Sequence, residues 1–182
     1  MNAVVSTITQ LLPAEIITTD PEQITLYSQD VFTVGPPICA VVRPRSIDEV
    51  QALVRACLER GTPIVTRGGG MSYTSGYIAS APDSVLIDMA SMDAIVEVNL
   101  EDRYVTVEAG CSWQKLYEHL SPLGVRTPYW GTLSGRYATV GGGLSQNSIF
   151  WGSGQSGTAA DNVLSVSVVT GKGEVIETGS NS

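Results

Sequence analysis

The 182-residue sequence is short of several things, and each shortage excludes a class of function. It has no run of about 18 apolar residues, so no membrane-spanning helix is expected. No lysine or arginine precedes Arg43. A secretory leader needs a positively charged start and a mitochondrial one needs arginines, so no targeting segment is expected, and the expected location is cytoplasmic. Cys39, Cys57 and Cys111 stand far apart, with no CxxC. An odd, scattered set argues against a disulfide framework or a zinc site, and no metal is expected. Each lies beside apolar neighbours, as a small core residue does in a reducing compartment. His119 is the single histidine, set among Leu116, Tyr117 and Leu120, and is expected at the surface or partly packed rather than as a catalytic base. No two carboxylates present themselves as an acid–base couple. Positive charge is also scarce: 10 basic against 18 acidic side chains leave a net charge of -8. Such a chain repels nucleic-acid phosphates and anionic lipid at long range. An anionic ligand must therefore be held by local dipoles and donors.

What is present is an ordinary globular balance, 43% hydrophobic and 15% charged, enough for one domain or two small lobes. Residues 3–12 and 20–29 have helical patterning, the second opened by Asp20-Pro21-Glu22, an N-cap followed by a proline at the first helical position. "ICAVVRP" (38–44) is a short apolar strand stopped by Pro44. "SIDEVQALVRACLERG" (46–61) is a helix with a Ser46/Glu49 capping box. Its apolar face comprises Ile47, Val50, Val54, Cys57 and Leu58, and Gly61 ends it. "TPIVTR" (62–67) returns as a strand, giving a β-α-β unit with parallel strands. "SVLIDM" (84–89) is a further strand. "AIVEVN" and "RYVTVEAG" flank a polar turn as a hairpin, and "SWQKLYEHL" (112–120) is a helix capped by Ser112. A strand pair spans 162–178 around Thr170 to Gly173. The fold class expected is α+β, with a small βαβ lobe over about 1–90 and a mixed, mostly antiparallel lobe over about 91–182.

Two glycine clusters carry the chemistry. "RGGGMSYTSG" (67–76) follows a strand, and consecutive glycines let successive amides converge into an anion-binding nest. Ser72 and Ser75 add hydroxyl donors. The competing reading is a tight, mobile loop. In "TVGGGLSQN" (139–147), Thr139 can cap a short helix over 141–147 whose first amides would form a second anion site. Together the clusters suit an elongated ligand with phosphates in its middle; the alternative is two unrelated turns. "GSGQSG" (152–157) matches GxGxxG literally, with Glu174 and Glu177 about 20 residues on. A dinucleotide fingerprint needs a strand before it and a helix after it. Strand-like residues follow here, so a ligand-facing loop is expected instead.

Four stretches, "VVRPRSIDEVQALVRACLERG", "PIVTRGGGMSYTSG", "ATVGGGLSQN" and "GSGQSGTAADNVLSVSVVTGKGEVI", occur in the order found in the FAD-binding domain of the vanillyl-alcohol oxidase / p-cresol methylhydroxylase family, which the chain resembles over about residues 20–180. The resemblance implies two α+β lobes that clamp FAD. It places Gly68, Gly69, Gly70, Met71 and Ser72 in the pyrophosphate loop. Thr139, Gly141, Gly142 and Gly143 fall in a second flavin-contacting segment, with Ser145 and Asn147 in its continuation. Gly157 and Asp161 fall in a later loop, and Ile176 on a strand whose backbone meets the cofactor. Met71 and Gly135 stand where some members attach flavin through a histidine or a cysteine, so non-covalent FAD is expected.

The family places substrate and catalytic residues in a C-terminal domain, and this sequence stops just past the last cofactor strand. Catalytic residues are therefore unassigned. Tyr73, Tyr77, Tyr129, Tyr137, Arg126 and Arg136 flank the expected site. Two readings stay open. One is the FAD-binding domain of an oxidoreductase that passes hydride from a small-molecule C–H to flavin, completed by a further domain or subunit. The other is a non-catalytic flavin- or nucleotide-binding or interaction module. In either, the face left uncovered is expected to be apolar and open to homo-oligomer contact.

Overall fold

β-branched runs and capped amphipathic stretches alternate through the first half of the chain, and the computed structural model, which describes residues 2–179, turns each into an element. Helices α1 (Ala3–Leu11) and α2 (Pro21–Tyr27) are capped by Asn2 and Asp20. Strands β1 (Ile17–Thr18), β2 (Ala40–Val42), β3 (Ile64–Arg67) and β4 (Val85–Asp88) form one sheet in the order β1-β2-β4-β3. β2 and β3 are parallel, as expected of the β-α-β unit, but they are not neighbours. Each pairs with β4, which lies between them. β4 is buried at all four positions, so the central place gives it paired edges and covered faces. β1 adds an antiparallel edge. At two residues it is too short to show a periodicity.

Helix α3 (Ile47–Glu59) begins as its sequence dictates. The Ser46 hydroxyl accepts from the Glu49 amide at 3.2 Å, but the Glu49 carboxylate reaches the Arg45 amide at 2.6 Å rather than that of Ser46. The buried face is Val50, Leu53, Val54, Ala56 and Cys57. Ile47 and Leu58 are exposed, a correction to the expected face. They sit on one flank of the arc centred on Val50, Leu53 and Cys57, which faces α1.

The chain divides into two units. The first holds the described residues up to Arg67, Ser72–Ser91 and Ser167–Ile176; the second holds Gly68–Met71, Met92–Val166 and the described residues from Glu177. In the second, β5 (Ile95–Asn99) and β6 (Tyr104–Val107) pair antiparallel. Their Ile95, Val98, Val105 and Val107 pack on Cys111, Leu116 and Leu120 of α4 (Trp113–Leu120) and its approach. Ser112 caps α4 by accepting the Lys115 amide at 3.1 Å. Helices α5 (Val140–Ser145) and α6 (Ser153–Ser156) follow. Strands β7 (Ser165–Val169) and β8 (Val175–Gly179) pair around a tight turn. In that turn the Gly173 carbonyl receives Gln51 Nε2 at 2.7 Å and Arg55 Nη2 at 2.8 Å.

The stretch expected as a loop at 152–157 contains the one-turn α6, bounded by left-handed Gly152 and by Gly157 at φ 78°. A single helical turn leaves too few residues to show a period. Cys57 and Cys111 are buried and Cys39 is half-buried, all three as free thiols. Burial pushes the Cys39 and Cys57 thiols up, to about 11 and about 12. No helix among the described residues is long and apolar enough to cross a membrane.

Leu86, fully buried in the central strand, anchors the cluster of Ile38, Val41 and Ala79. Leu86→Ala should cost about 2–5 kcal/mol in urea unfolding, whereas Leu58→Ala, at a position 56% exposed, should stay within about 0.5 kcal/mol.

Candidate cofactor site

The glycine stretch leaves β3 at Arg67 and joins the second unit as Gly68–Met71. There it lies against the residues that open the other glycine cluster. A Cβ on Gly69 would overlap the Tyr137 carbonyl, and one on Gly68 would press on the Thr139 hydroxyl. The two clusters, about 70 residues apart in sequence, are side by side. Gly69 is thus demanded by a backbone-to-backbone approach, and Gly70 by a φ of 69°. Among the described residues, the amides of Gly68, Gly69 and Met71 donate to no acceptor. All three residues are partly exposed. Accessible amides without partners on a strand-to-loop turn are the donors that an oxyanion needs.

The second cluster behaves otherwise: the amides that open its helix have protein acceptors. Thr139 does cap α5, accepting the Gly142 amide at 3.1 Å. The remaining first-turn amides are also taken. Val140 N–H donates to Cys111 O at 2.8 Å, Gly141 N–H to Ala109 O at 3.0 Å and Gly143 N–H to Thr139 O at 2.9 Å. None of the four amides from Val140 to Gly143 is left for a ligand. The glycines here serve packing: Gly141 faces Ala109 and Gly143 faces the Trp113 indole. Gly142 is exposed and meets only the Thr139 hydroxyl, so it alone of the three leaves room for another molecule to approach.

The later residues form a second local network. Asn147, left-handed at φ 46°, accepts the Ala160 amide at 3.0 Å. Asp161 accepts the Thr158 amide at 2.7 Å and the Thr158 hydroxyl at 2.8 Å. The Thr158 amide, foremost, holds the Asp161 carboxyl below its ordinary pKa. Gly157 is packed on that carboxylate. Ser145 donates its hydroxyl back to Gly141 O at 2.8 Å. Ser72 and Ile176 belong to the first unit. Ser72 Oγ accepts the Thr74 and Gly76 amides at 3.2 and 3.0 Å, and Ile176 is exposed on β8. Of the flanking residues, Tyr73, Tyr137, Arg126 and Arg136 are exposed, while Tyr77 and Tyr129 are buried. His119 is exposed on α4.

Sequence reasoning missed a charged cluster in the first unit. The parallel strands end in or beside Arg43, Arg67 and Asp88. Asp88, whose side chain is 2% exposed, accepts Tyr27 Oη at 2.8 Å and Arg43 Nε at 3.1 Å, with Arg67 Nη1 at 4.0 Å. Arg67 lies over the rings of Tyr27 and Tyr77. With Leu26, Asp30 and Val31 these residues line an open cavity of about 280 Å3. The signal was present in "VVRP", "VTRG" and "LIDM": each strand closes on a charge at the carboxyl edge, where α/β units gather functional groups.

The family model described as an FAD binding domain matches residues 38–179, which takes in every glycine discussed. The chain belongs to this family. This FAD-binding domain is 35% identical over 140 residues to the mitochondrial D-lactate dehydrogenase [cytochrome] of Arabidopsis thaliana, covering 77% of this chain and 24% of that protein. It is 33% identical over 141 residues to cytokinin dehydrogenase 3 of the same plant, covering 75% of this chain and 26% of the other. Its fold matches that of p-cresol methylhydroxylase with a TM-score of 0.81 at 21% identity, over 97% of this chain and 35% of that one. The domain therefore spans about a quarter of the length of these curated relatives. The expected α+β fold and family are borne out.

Gly141→Ala should destabilise the FAD-binding domain by about 1–3 kcal/mol, because Ala109 cannot retreat. Gly142→Ala should stay within about 1 kcal/mol, since a helical alanine gains propensity. Thermal unfolding of the two variants separates a glycine needed for packing from one that is not.

Proposed function

We propose that this domain holds FAD without a covalent bond, with the diphosphate on the glycine loop, as the cofactor-binding part of an oxidoreductase that removes a hydride from a small-molecule C–H. The observation that carries this reading is the set of unpartnered amides at Gly68, Gly69 and Met71 in a chain of net charge -8. Neutral donors suit a diphosphate where the overall field opposes one. Bound FAD would supply the two-electron acceptor.

The chain's own residues then have separate tasks. Gly68, Gly69 and Met71 offer backbone donors, and Gly70 turns the loop through its left-handed φ of 69°. Ser72 Oγ accepts the Thr74 and Gly76 amides and lies 3.4 Å from Thr74 Oγ1, which holds the turn after the loop together. Gly142 leaves open the approach to α5, and Thr139 holds that helix start in place. Asn147, Gly157 and Asp161 shape the neighbouring loop, and Ser145 and Ile176 contribute backbone surface. Met71 and Gly135 offer no nucleophile for a flavin bond. Substrate contacts are assigned to a further domain or subunit, and the location to the cytoplasm.

Titration with FAD should quench flavin fluorescence with a Kd below about 100 μM. Acid precipitation should leave all the flavin in the supernatant. Met71→Pro, which deletes one amide donor, should weaken binding about tenfold at unchanged Tm. Saturating FAD with no spectral or thermal response would reject the reading. Flavin retained in the acid pellet would reject non-covalent attachment alone. Binding without anaerobic bleaching by hydroxy acids, alditols, phenols or amines would favour a non-catalytic module for this chain by itself.

A further inference from the structure

Ser75 is a serine held in the left-handed region, at φ 58°, three residues beyond Ser72. A β-carbon makes that conformation unfavourable by about 1–2 kcal/mol, so something must hold it. The structure shows what does. Asp30, in the connection between α2 and β2, accepts the Ser75 amide on Oδ2 at 3.0 Å across 45 residues of sequence. Its other oxygen, Oδ1, accepts the Phe32 and Thr33 amides at 2.9 and 2.7 Å, and its own amide donates to Thr33 O at 2.9 Å. One oxygen therefore fixes the aspartate in its own turn while the other reaches the distant arm. A second tie runs parallel, with the Ser75 hydroxyl donating to Thr33 Oγ1 at 3.0 Å. The Phe32 and Tyr73 rings stand 6.3 Å apart on the same two segments.

The arm so held is short and internally bonded. Ser72 Oγ gathers the Thr74 and Gly76 amides, and Ile78 N–H closes on Ser75 O at 3.1 Å. All of these residues belong to the first unit. Fixing Ser75 therefore fixes the Ser72–Gly76 turn.

We propose that Asp30 is a positioning residue for the Ser72–Gly76 arm: its carboxylate holds Ser75 left-handed and so sets that arm in the geometry that receives the flavin diphosphate. The carboxylate form suits the task, because three amides converge on it and an ionised acceptor binds them more strongly than a neutral one. Those amides, Phe32's foremost, keep the Asp30 carboxyl below its ordinary pKa. The role lies in geometry alone, since Asp30 transfers nothing. Its consequence for FAD affinity rests on the function proposed above. Its consequence for the Ser75 amide does not.

The test uses the full 182-residue chain and the variants Asp30→Asn, Ser75→Gly and the double variant. Amide hydrogen exchange at Ser75 is read without FAD, and Kd by flavin fluorescence. Asp30→Asn presents an NH2 group to at least one of the converging amides. It should speed Ser75 exchange at least tenfold, leave the amides of α3 unchanged, and weaken FAD about tenfold. Glycine adopts the left-handed region freely. In the Ser75→Gly background the same Asp30→Asn change should therefore cost less than threefold in affinity. That loss of coupling is something a general stabilising role for Asp30 would not produce. Equal Ser75 exchange in the wild type and Asp30→Asn overturns the proposal, as does an equal affinity loss in both backgrounds. If the wild type binds no FAD, the functional reading fails, and the exchange result still decides the clamp. If Asp30→Asn does not fold, Thr33→Val, which removes only the parallel tie, should raise Ser75 exchange by a smaller factor; no change there overturns the proposal.

Discussion

A tight constraint in this chain is the approach of the Gly69 backbone to the Tyr137 carbonyl, with no room for a β-carbon between them. That contact sets two segments, about 70 residues apart, against one another. It carries Thr139 to Gly68 and thereby locates the start of α5 beside the glycine loop. Once the backbone is committed there, the amides of Gly68, Gly69 and Met71 are left without protein acceptors. An unmet donor costs nothing while water reaches it, and it becomes a binding group when a suitable oxygen arrives.

The two glycine clusters look alike in sequence and do different work. The first is glycine because a carbonyl presses on it and because one residue adopts a left-handed φ, and its donors stay open. In the second, Val140, Gly141, Gly142 and Gly143 spend their amides on Cys111, Ala109 and Thr139. Its glycines instead let Ala109 and the Trp113 indole come close. Composition announces small size in both cases. It does not say whether the space is filled by protein or left for a ligand.

Much of the fold was legible because the determinants were local. Ser46, Ser112, Thr139 and Asp20 each cap the helix they precede, and the polar turn at 100–103 joins the expected hairpin. The insertion of β4 between β2 and β3 was not legible, because strand order depends on which edges need cover and no residue encodes that by itself. The α3 face was misplaced by one flank for a related reason: Leu58 has the right chemistry but lies outside the arc of Val50, Leu53 and Cys57 that is buried. Within the site, the glycine loop and the Thr139 cap could be read directly. The Arg43–Asp88–Arg67 cluster and the Asp30–Ser75 bond could not, because each unites residues that are neighbours only after folding.

The Gly173 carbonyl offers a last consequence. It receives both Gln51 and Arg55 from one helix, so the turn joining β7 and β8 is moored at a single oxygen by two lines. Either line can be lost while the other still holds, which makes the attachment fault-tolerant towards changes in α3. The oxygen has no such understudy. An inserted or deleted residue in that turn would cast off both lines at once.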